Sequence, residues 1–232
     1  MRARFSFACA AVAAAAVSCG SAGGPAPSGA ERVVQKFAVT LQGRDVGYMT
    51  LQVEEIPSGS LLVTQSTEWT MRLMGTQSSV SMESEAVTDS SLNLGRMEFH
   101  MSDGSAEIRA TTVRGDGVLE HTIHSAGREA SFQREFEGDY IPALLDLAVA
   151  GMDWEEGQVR TFPSFDPSAG VVSEAEVTCL GFEDAELLGE RVTAARLQVR
   201  HMGMTTVMLA SDGQIISAEE GGDGTRMTSV PP

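Results

Sequence analysis

The side chains of this 232-residue chain that could do chemistry are four histidines, twelve methionines, three cysteines and a large excess of acids. His121 and His124 stand as His-x-x-His. On a strand that spacing puts them on opposite faces, where they cannot share a metal without a bulge. Met202, Met204 and Met208 fall on one parity with His201 adjacent, and Met97 and Met101 flank His100. Thioethers with imidazole form a soft donor set suited to Cu(I), and the same methionines equally suit irregular apolar space inside a sheet. Cys179, within Glu176-Val177-Thr178-Cys179-Leu180, alternates onto the face of Val177 and reads as a buried structural thiol.

A hydrolase needs a base beside a nucleophile. The bases on offer are His121, His124 and His201 with many Ser, Thr and acidic residues, and no spacing selects a pair among them. Gly-x-Ser-x-Gly, His-Glu-x-x-His, a phosphate loop and a paired Cys-x-x-Cys are all missing from the sequence. Asp-Gly recurs at Asp103, Asp116, Asp212 and Asp223, but without the series of oxygen ligands a calcium loop requires, so these read as hairpin turns. Trp154-Glu155-Glu156-Gly157 with Arg160, Phe162 and Phe165 is the richest aromatic and polar mixture outside the strands. It reads as a surface turn or, since loops often carry function, a binding loop. The expectation is a non-enzymatic protein with no catalytic residue, no metal ligand and no cofactor.

The elements that would position these residues are mostly strands. From Val33 onward apolar residues alternate with period two between turn residues, the pattern of half-buried antiparallel strands. Phe37, Val39 and Leu41 precede Gly43; Met49, Leu51 and Val53 precede Pro57; Leu61, Val63, Thr67, Trp69, Met71 and Leu73 form an unusually long run. Shorter runs separated by tight turns continue to Phe136, as a meander would, and a second series spans 171–182, 191–202, 204–210 and 214–219. One helix is predicted over about 141–152, with Pro142 at its first position, Asp139 as a cap and an apolar stripe of Ile141, Leu144, Leu145, Ala148 and Met152. The fold class is therefore mainly β: a large curved antiparallel sheet or open barrel with one covering α-helix. Residues 33–230 read as a single β-rich domain, or as two packed β halves, 33–140 and 155–230.

The amino terminus sets the compartment. Arg2 and Arg4 precede an uncharged apolar block from Phe5 to Val17, the layout of a signal peptide over residues 1–18. That block is shorter than the roughly 20 residues that span a bilayer. Ala16-Val17-Ser18-Cys19 resembles the lipobox of bacterial lipoproteins, although Leu is usual where Ala16 stands. The resemblance implies that Cys19 becomes the lipidated N-terminus. It also implies attachment to the cell envelope, on the periplasmic face of the outer membrane in a host with two membranes, since Gly20 rather than Asp follows. Cleavage after Ala14-Ala15-Ala16, with Cys19 incidental, is the alternative. Residues 19–32 form the lipidated tether; Gly20 to Glu31 is rich in Gly, Pro, Ser and Ala, a flexible composition with an end-to-end distance of about 20 Å.

Removing residues 1–18 takes Arg2 and Arg4 from the 16 basic side chains and none of the 32 acidic ones, so the net charge goes from −16 to −18. Such a surface repels phosphate backbones and anionic lipids, which excludes nucleic acid as an expected partner and leaves the lipid as the membrane anchor. With Cys9 removed and Cys19 lipidated, Cys179 has no partner for a disulfide, and ~200 residues must fold on their core alone.

Phe37-Ala38-Val39-Thr40-Leu41-Gln42-Gly43-Arg44-Asp45-Val46-Gly47-Tyr48, the Thr/Ser-rich strands, the Ile-Pro-Ala-Leu-Leu segment, Phe165-Asp166-Pro167 and Ser211-Asp212-Gly213-Gln214-Ile215 together resemble β-rich bacterial envelope domains of the kind found ahead of transglutaminase-like modules. The Cys-His-Asp site of those modules has no counterpart here. A looser similarity is to the half-barrels of periplasmic lipoprotein carriers, in which a sheet wraps a helix and an apolar cavity. The expected function is thus a lipid-anchored envelope protein that binds an apolar small molecule or an envelope protein partner. The alternatives are a scaffold lipoprotein, Cu(I) binding, or a hydrolase whose residues converge only in space.

Overall fold

The computed structural model describes residues 32–73, 76–136, 138–222 and 224–232. The signal segment 1–18, Cys19 and the tether up to residue 31 lie outside the described residues. In chain order the elements are β1 (Arg32–Leu41), β2 (Arg44–Glu55), β3 (Leu61–Leu73), β4 (Thr76–Thr88), β5 (Leu94–Ser102), β6 (Glu107–Arg114), β7 (Val118–Ser125), β8 (Arg128–Glu135), α1 (Leu145–Ala150), β9 (Val159–Asp166), β10 (Val171–Leu187), β11 (Glu190–His201), β12 (Met204–Ser211), β13 (Gln214–Gly221) and β14 (Thr225–Val230). Among the described residues no helix is long and apolar enough to cross a membrane.

All fourteen strands belong to one antiparallel sheet in the order β8-β7-β6-β5-β4-β3-β2-β1-β14-β13-β12-β11-β10-β9. Every neighbour is a sequence neighbour except β1 and β14, which pair through Phe37↔Ser229 and Val39↔Met227 and so join the two halves in the middle of the sheet. The open edges are β8 and β9, and the segment between them carries α1. Period-two alternation produces the expected burial: Met49, Leu51 and Val53 are buried on β2 between exposed or half-exposed neighbours, and Ala175, Val177 and Cys179 alternate likewise on β10. Several hairpins are tight two-residue turns that end in glycine. Ala126-Gly127 and Asp212-Gly213 both have two positive φ angles, the type I′ geometry that matches strand twist. Met202-Gly203 forms another such turn, so Met202 is not a strand residue and is 60% exposed.

The predicted helix is present but shorter than 141–152. Ile141, Pro142 and Ala143 stay outside the helix, because their backbone is taken up by the turn after β4. Asn93 bridges Pro142, Leu94 N–H donates to Ile141 C=O at 2.8 Å, and Ala143 N–H donates to Leu92 C=O at 3.0 Å. The Asn93 side chain completes the splint: its Oδ1 accepts from Ile141 N–H at 2.9 Å and its Nδ2 donates to Asp139 C=O at 2.9 Å. Helical dihedrals therefore begin only after Leu144, which keeps an extended backbone and supplies no side-chain cap. Pro142 and Asp139 do not start the helix. At the other end Gly151 is the C-cap, and the Trp154 indole donates to Val149 C=O at 2.8 Å.

The short helix is buried nearly all round. Val149 packs with Phe37, Met49, Val177 and Leu197, while Leu147 packs with Leu51, Leu94, Leu119 and Phe165. The second set joins strands from the β2–β7 side to Phe165 of β9, the opposite edge. The sheet therefore curls until its two halves face each other across α1, without closing.

Candidate functional site

Where the curled halves meet the N-terminal end of α1 they leave a cavity of ≈330 Å³. Its apolar walls include Met82, Met97 and Phe99 from the β4–β5 side, Leu144 beside α1, Phe165 of β9 and Val199 of β11. Polar residues reach it from both halves: Gln65, Ser164, Asp166, His201 and, from α1 itself, Asp146.

Asp146 is the exceptional member. It is the second residue of α1, is only 9% exposed, and has no hydrogen-bond or ion-pair partner among the described residues. Burial pushes its carboxyl up to about 7. A buried acid without a partner is costly, and such groups mark binding or catalytic sites more often than structural ones.

Cross-strand register brings Ser173 and His201 together. Ser164 faces Ser173 across β9 and β10, and Ala175 faces His201 across β10 and β11, so these side chains share the inner face. Ser173 Oγ lies 2.6 Å from His201 Nε2. Burial holds the His201 imidazole below its usual pKa, with Asp166 pulling weakly the other way. The Asp166 carboxylate is already engaged, its Oδ1 accepting from Ser168 N–H at 2.8 Å and Ser168 Oγ–H at 2.6 Å. Among the described residues no hydrogen bond orients the second ring nitrogen of His201, so Ser173 and His201 form a pair and not a triad.

The remaining sequence candidates separate. His121 is 1% exposed and faces inward, whereas His124 is on the outer face beside Glu129, as alternation required. His121 Nδ1 pairs with Thr112 Oγ1 at 2.9 Å, its Nε2 has no partner among the described residues, and its ring lies tilted against Phe132 and edge-on to Phe165. Burial lowers its pKa and Asp166 opposes this. His100 is outside, 2.7 Å from Glu107, while Met97 beside it in sequence points inward, so that pairing is split between faces. His201 and Met204, by contrast, are cross-strand partners and both reach the cavity. Cys179 is fully buried among Val177, Leu197 and Ala210, with its thiol 3.8 Å from Gly181 C=O. The Trp154 loop is packing: Trp154 and Phe162 are buried edge to face, and Arg160 lies over the indole at 4.8 Å.

Asp146 and Ser173 belong to no sequence motif. One signal was present for Asp146, a single charge inside the apolar run Ile141-Pro142-Ala143-Leu144-Leu145-Asp146-Leu147-Ala148-Val149-Ala150, where burial of a carboxylate is rare.

No family model matches this chain, and no curated protein matches it. Its fold is similar to the crystal structure of a β-barrel-like protein of the domain of unknown function DUF1849 from Brucella abortus. The TM-score is 0.58 over 87% of this chain and 95% of that one, at 12% sequence identity. At that identity the likeness is one of fold: a nearly all-β chain in which one large antiparallel sheet carries one short helix.

Proposed function

We propose that this chain is a lipid-anchored envelope protein, not an enzyme, that binds a small and largely apolar molecule between the inner sheet face and α1. The observation that carries this reading is the ≈330 Å³ cavity walled by Met82, Met97, Phe99, Leu144 and Phe165. Ligand pockets run from about 300 Å³ upward, apolar with a few placed polar groups, and this cavity has that character. Methionine walls adapt to the shape of what they hold. Attachment through Cys19 would keep the site beside a membrane, where apolar molecules concentrate, and a net charge near −18 leaves the lipid as the means of staying there.

The test is to express the full chain in a bacterial host with two membranes, extract it in mild non-ionic detergent, and analyse an organic extract by mass spectrometry. An apolar molecule should accompany the wild type and be lost from Ser84→Phe, which adds bulk at a half-buried position on the cavity wall. A wild type that is empty and that also fails to brighten Nile red overturns the reading and leaves a scaffold role.

One observation favours a second reading. Ser173 and His201 at 2.6 Å are the start of a nucleophile–base pair for acyl transfer. Covalent labelling of Ser173 by a fluorophosphonate, abolished in His201→Gln, would move the protein into the hydrolases.

A further inference from the structure

We infer that the molecule bound in this cavity carries a protonated amine at one end of an apolar body, and that the Asp146 carboxylate is the group that holds it. The inference rests on the proposed binding function and adds the chemistry of the ligand. Three observations lead to it.

The first is the state of the polar groups Gln65, Asp146, Asp166 and His201. His201 Nε2 is met by Ser173, Asp166 is held by Ser168, and the Gln65 amide donates to Met49 Sδ at 3.3 Å. Asp146 alone of these reaches the cavity with both oxygens uncommitted among the described residues, at nine-tenths burial. A carboxylate in that position lacks a donor, and a ligand ammonium supplies one with a countercharge.

The second is the sign of the surroundings. The ionisable groups lining the cavity are Glu83 from β4, Asp146 from α1, Asp166 from β9, His201 from β11 and Glu220 from β13; no Lys or Arg is among the described lining residues. Burial, against the pull of Asp166, lowers the His201 pKa and so favours its neutral form. Asp146, Asp166 and Glu220, with Glu83 exposed on the outer face of β4 nearby, give the cavity a negative potential, which attracts a cation and repels a phosphate or carboxylate headgroup. A phospholipid headgroup, which carries phosphate beside any amine, is thereby disfavoured against a simple amine.

The third is placement. Asp146 enters from α1 while Met82, Met97, Phe99 and Phe165 form walls on the surrounding sheet. A charged end at the helix and an apolar body along the sheet is the arrangement this lining accommodates.

The experiment uses the full chain and competition against Nile red, with decylamine, decanol and decanoate as probes of one chain length and three charges. At pH 8 decylamine should displace the dye at a concentration at least about tenfold below decanol, with decanoate weakest. Asp146→Asn should reduce decylamine to the level of decanol while leaving decanol unchanged. At pH 5.5, where the raised pKa of Asp146 leaves it protonated, the amine's advantage in the wild type should disappear. The wild-type pH series carries the test even if the Asn variant folds poorly. Equal displacement by decylamine and decanol at pH 8 overturns the inference and leaves apolar binding intact. Displacement by none of the three, in a protein that does not take up Nile red, overturns the binding function and the inference with it.

Discussion

Gly170, on the turn between β9 and β10, lies so close beneath His121 of β7 that a β-carbon there would sit 2.4 Å from His121 Cδ2 and 2.7 Å from Phe132 Cζ. These residues belong to opposite ends of the sheet order, and their contact is where the curled sheet meets itself. Gly170 also has a φ of +62°, a conformation that costs a residue with a β-carbon about 1 kcal/mol. Gly170→Ala therefore meets a backbone penalty and a collision with two rings. A loss of about 2–3 kcal/mol in urea unfolding is expected. Unchanged stability would show that the seam yields freely.

The buried acid gives a pH dependence of defined sign. Asp146 has its pKa raised from 3.8 to about 7 by burial. The folded state then binds more protons than the unfolded state between those values, so this group's contribution is fully present below about pH 4 and lost as pH rises through 7. Asp146→Asn removes the term. Without ligand, the variant should match the wild type near pH 4 and exceed it by about 4 kcal/mol at pH 8, measured by urea unfolding at both values. A gap that does not grow with pH would mean the carboxylate has found a partner.

His121 works in the opposite direction. Its folded pKa is lowered, chiefly by burial, so protonation of the unfolded chain destabilises the fold as pH falls below about 6.5 toward the lowered value. His121→Gln can keep a hydrogen bond to Thr112 but loses the ring contacts to Phe132 and Phe165, at about 1–2 kcal/mol at pH 8. The gap between variant and wild type should narrow as pH drops from 6.5. Asp146 and His201 titrate in both proteins and cancel in the difference. A constant gap would place the titration elsewhere.

How much of this was readable in the sequence depends on the range of the interaction. The strands were, since alternation at Met49, Leu51 and Val53 needs only one buried face, and so were the turns at Ala126-Gly127 and Asp212-Gly213, where local backbone preference decides. The start of α1 was not, because Asn93, about fifty residues earlier, captures the backbone of Ile141 through its side chain. The site was hidden for the same reason. Ser173 and His201 meet only through β10–β11 register, and Asp146 acquires its isolation from strands that precede and follow it. Local pattern specifies which face a residue takes and leaves open which distant residue it meets.

The soft donor set narrows in three dimensions. Met97 faces the cavity but His100 does not, and Met202 sits in an exposed turn, leaving His201 and Met204 as the cross-strand His–Met pair that reaches the cavity. Ser173 already occupies His201 Nε2 at 2.6 Å. Titration with Cu(I) under reducing conditions should give no affinity above that of a control protein, and Ser173→Ala should raise it if the imidazole is otherwise competent. Tight binding by the wild type would bring copper back as the ligand.

The proposed lipid anchor turns on one thiol. Cys179 is fully buried and its Sγ faces Gly181 C=O, so acylation or mixed-disulfide formation there would require unfolding, whereas Cys19 is followed by a chain without large apolar side chains up to Val33. Lipid attachment is thus a property that Cys19→Ser should abolish without touching the fold. Intact-mass measurement is expected to show a wild type beginning at residue 19 with a lipid-sized addition. The Cys19→Ser chain should lack that addition, leave the membrane fraction, and unfold in urea at the wild-type midpoint. An identical unlipidated N-terminus in both would assign cleavage to Ala14-Ala15-Ala16 and make this a freely exported binding protein. The cavity reading would then stand without the membrane beside it.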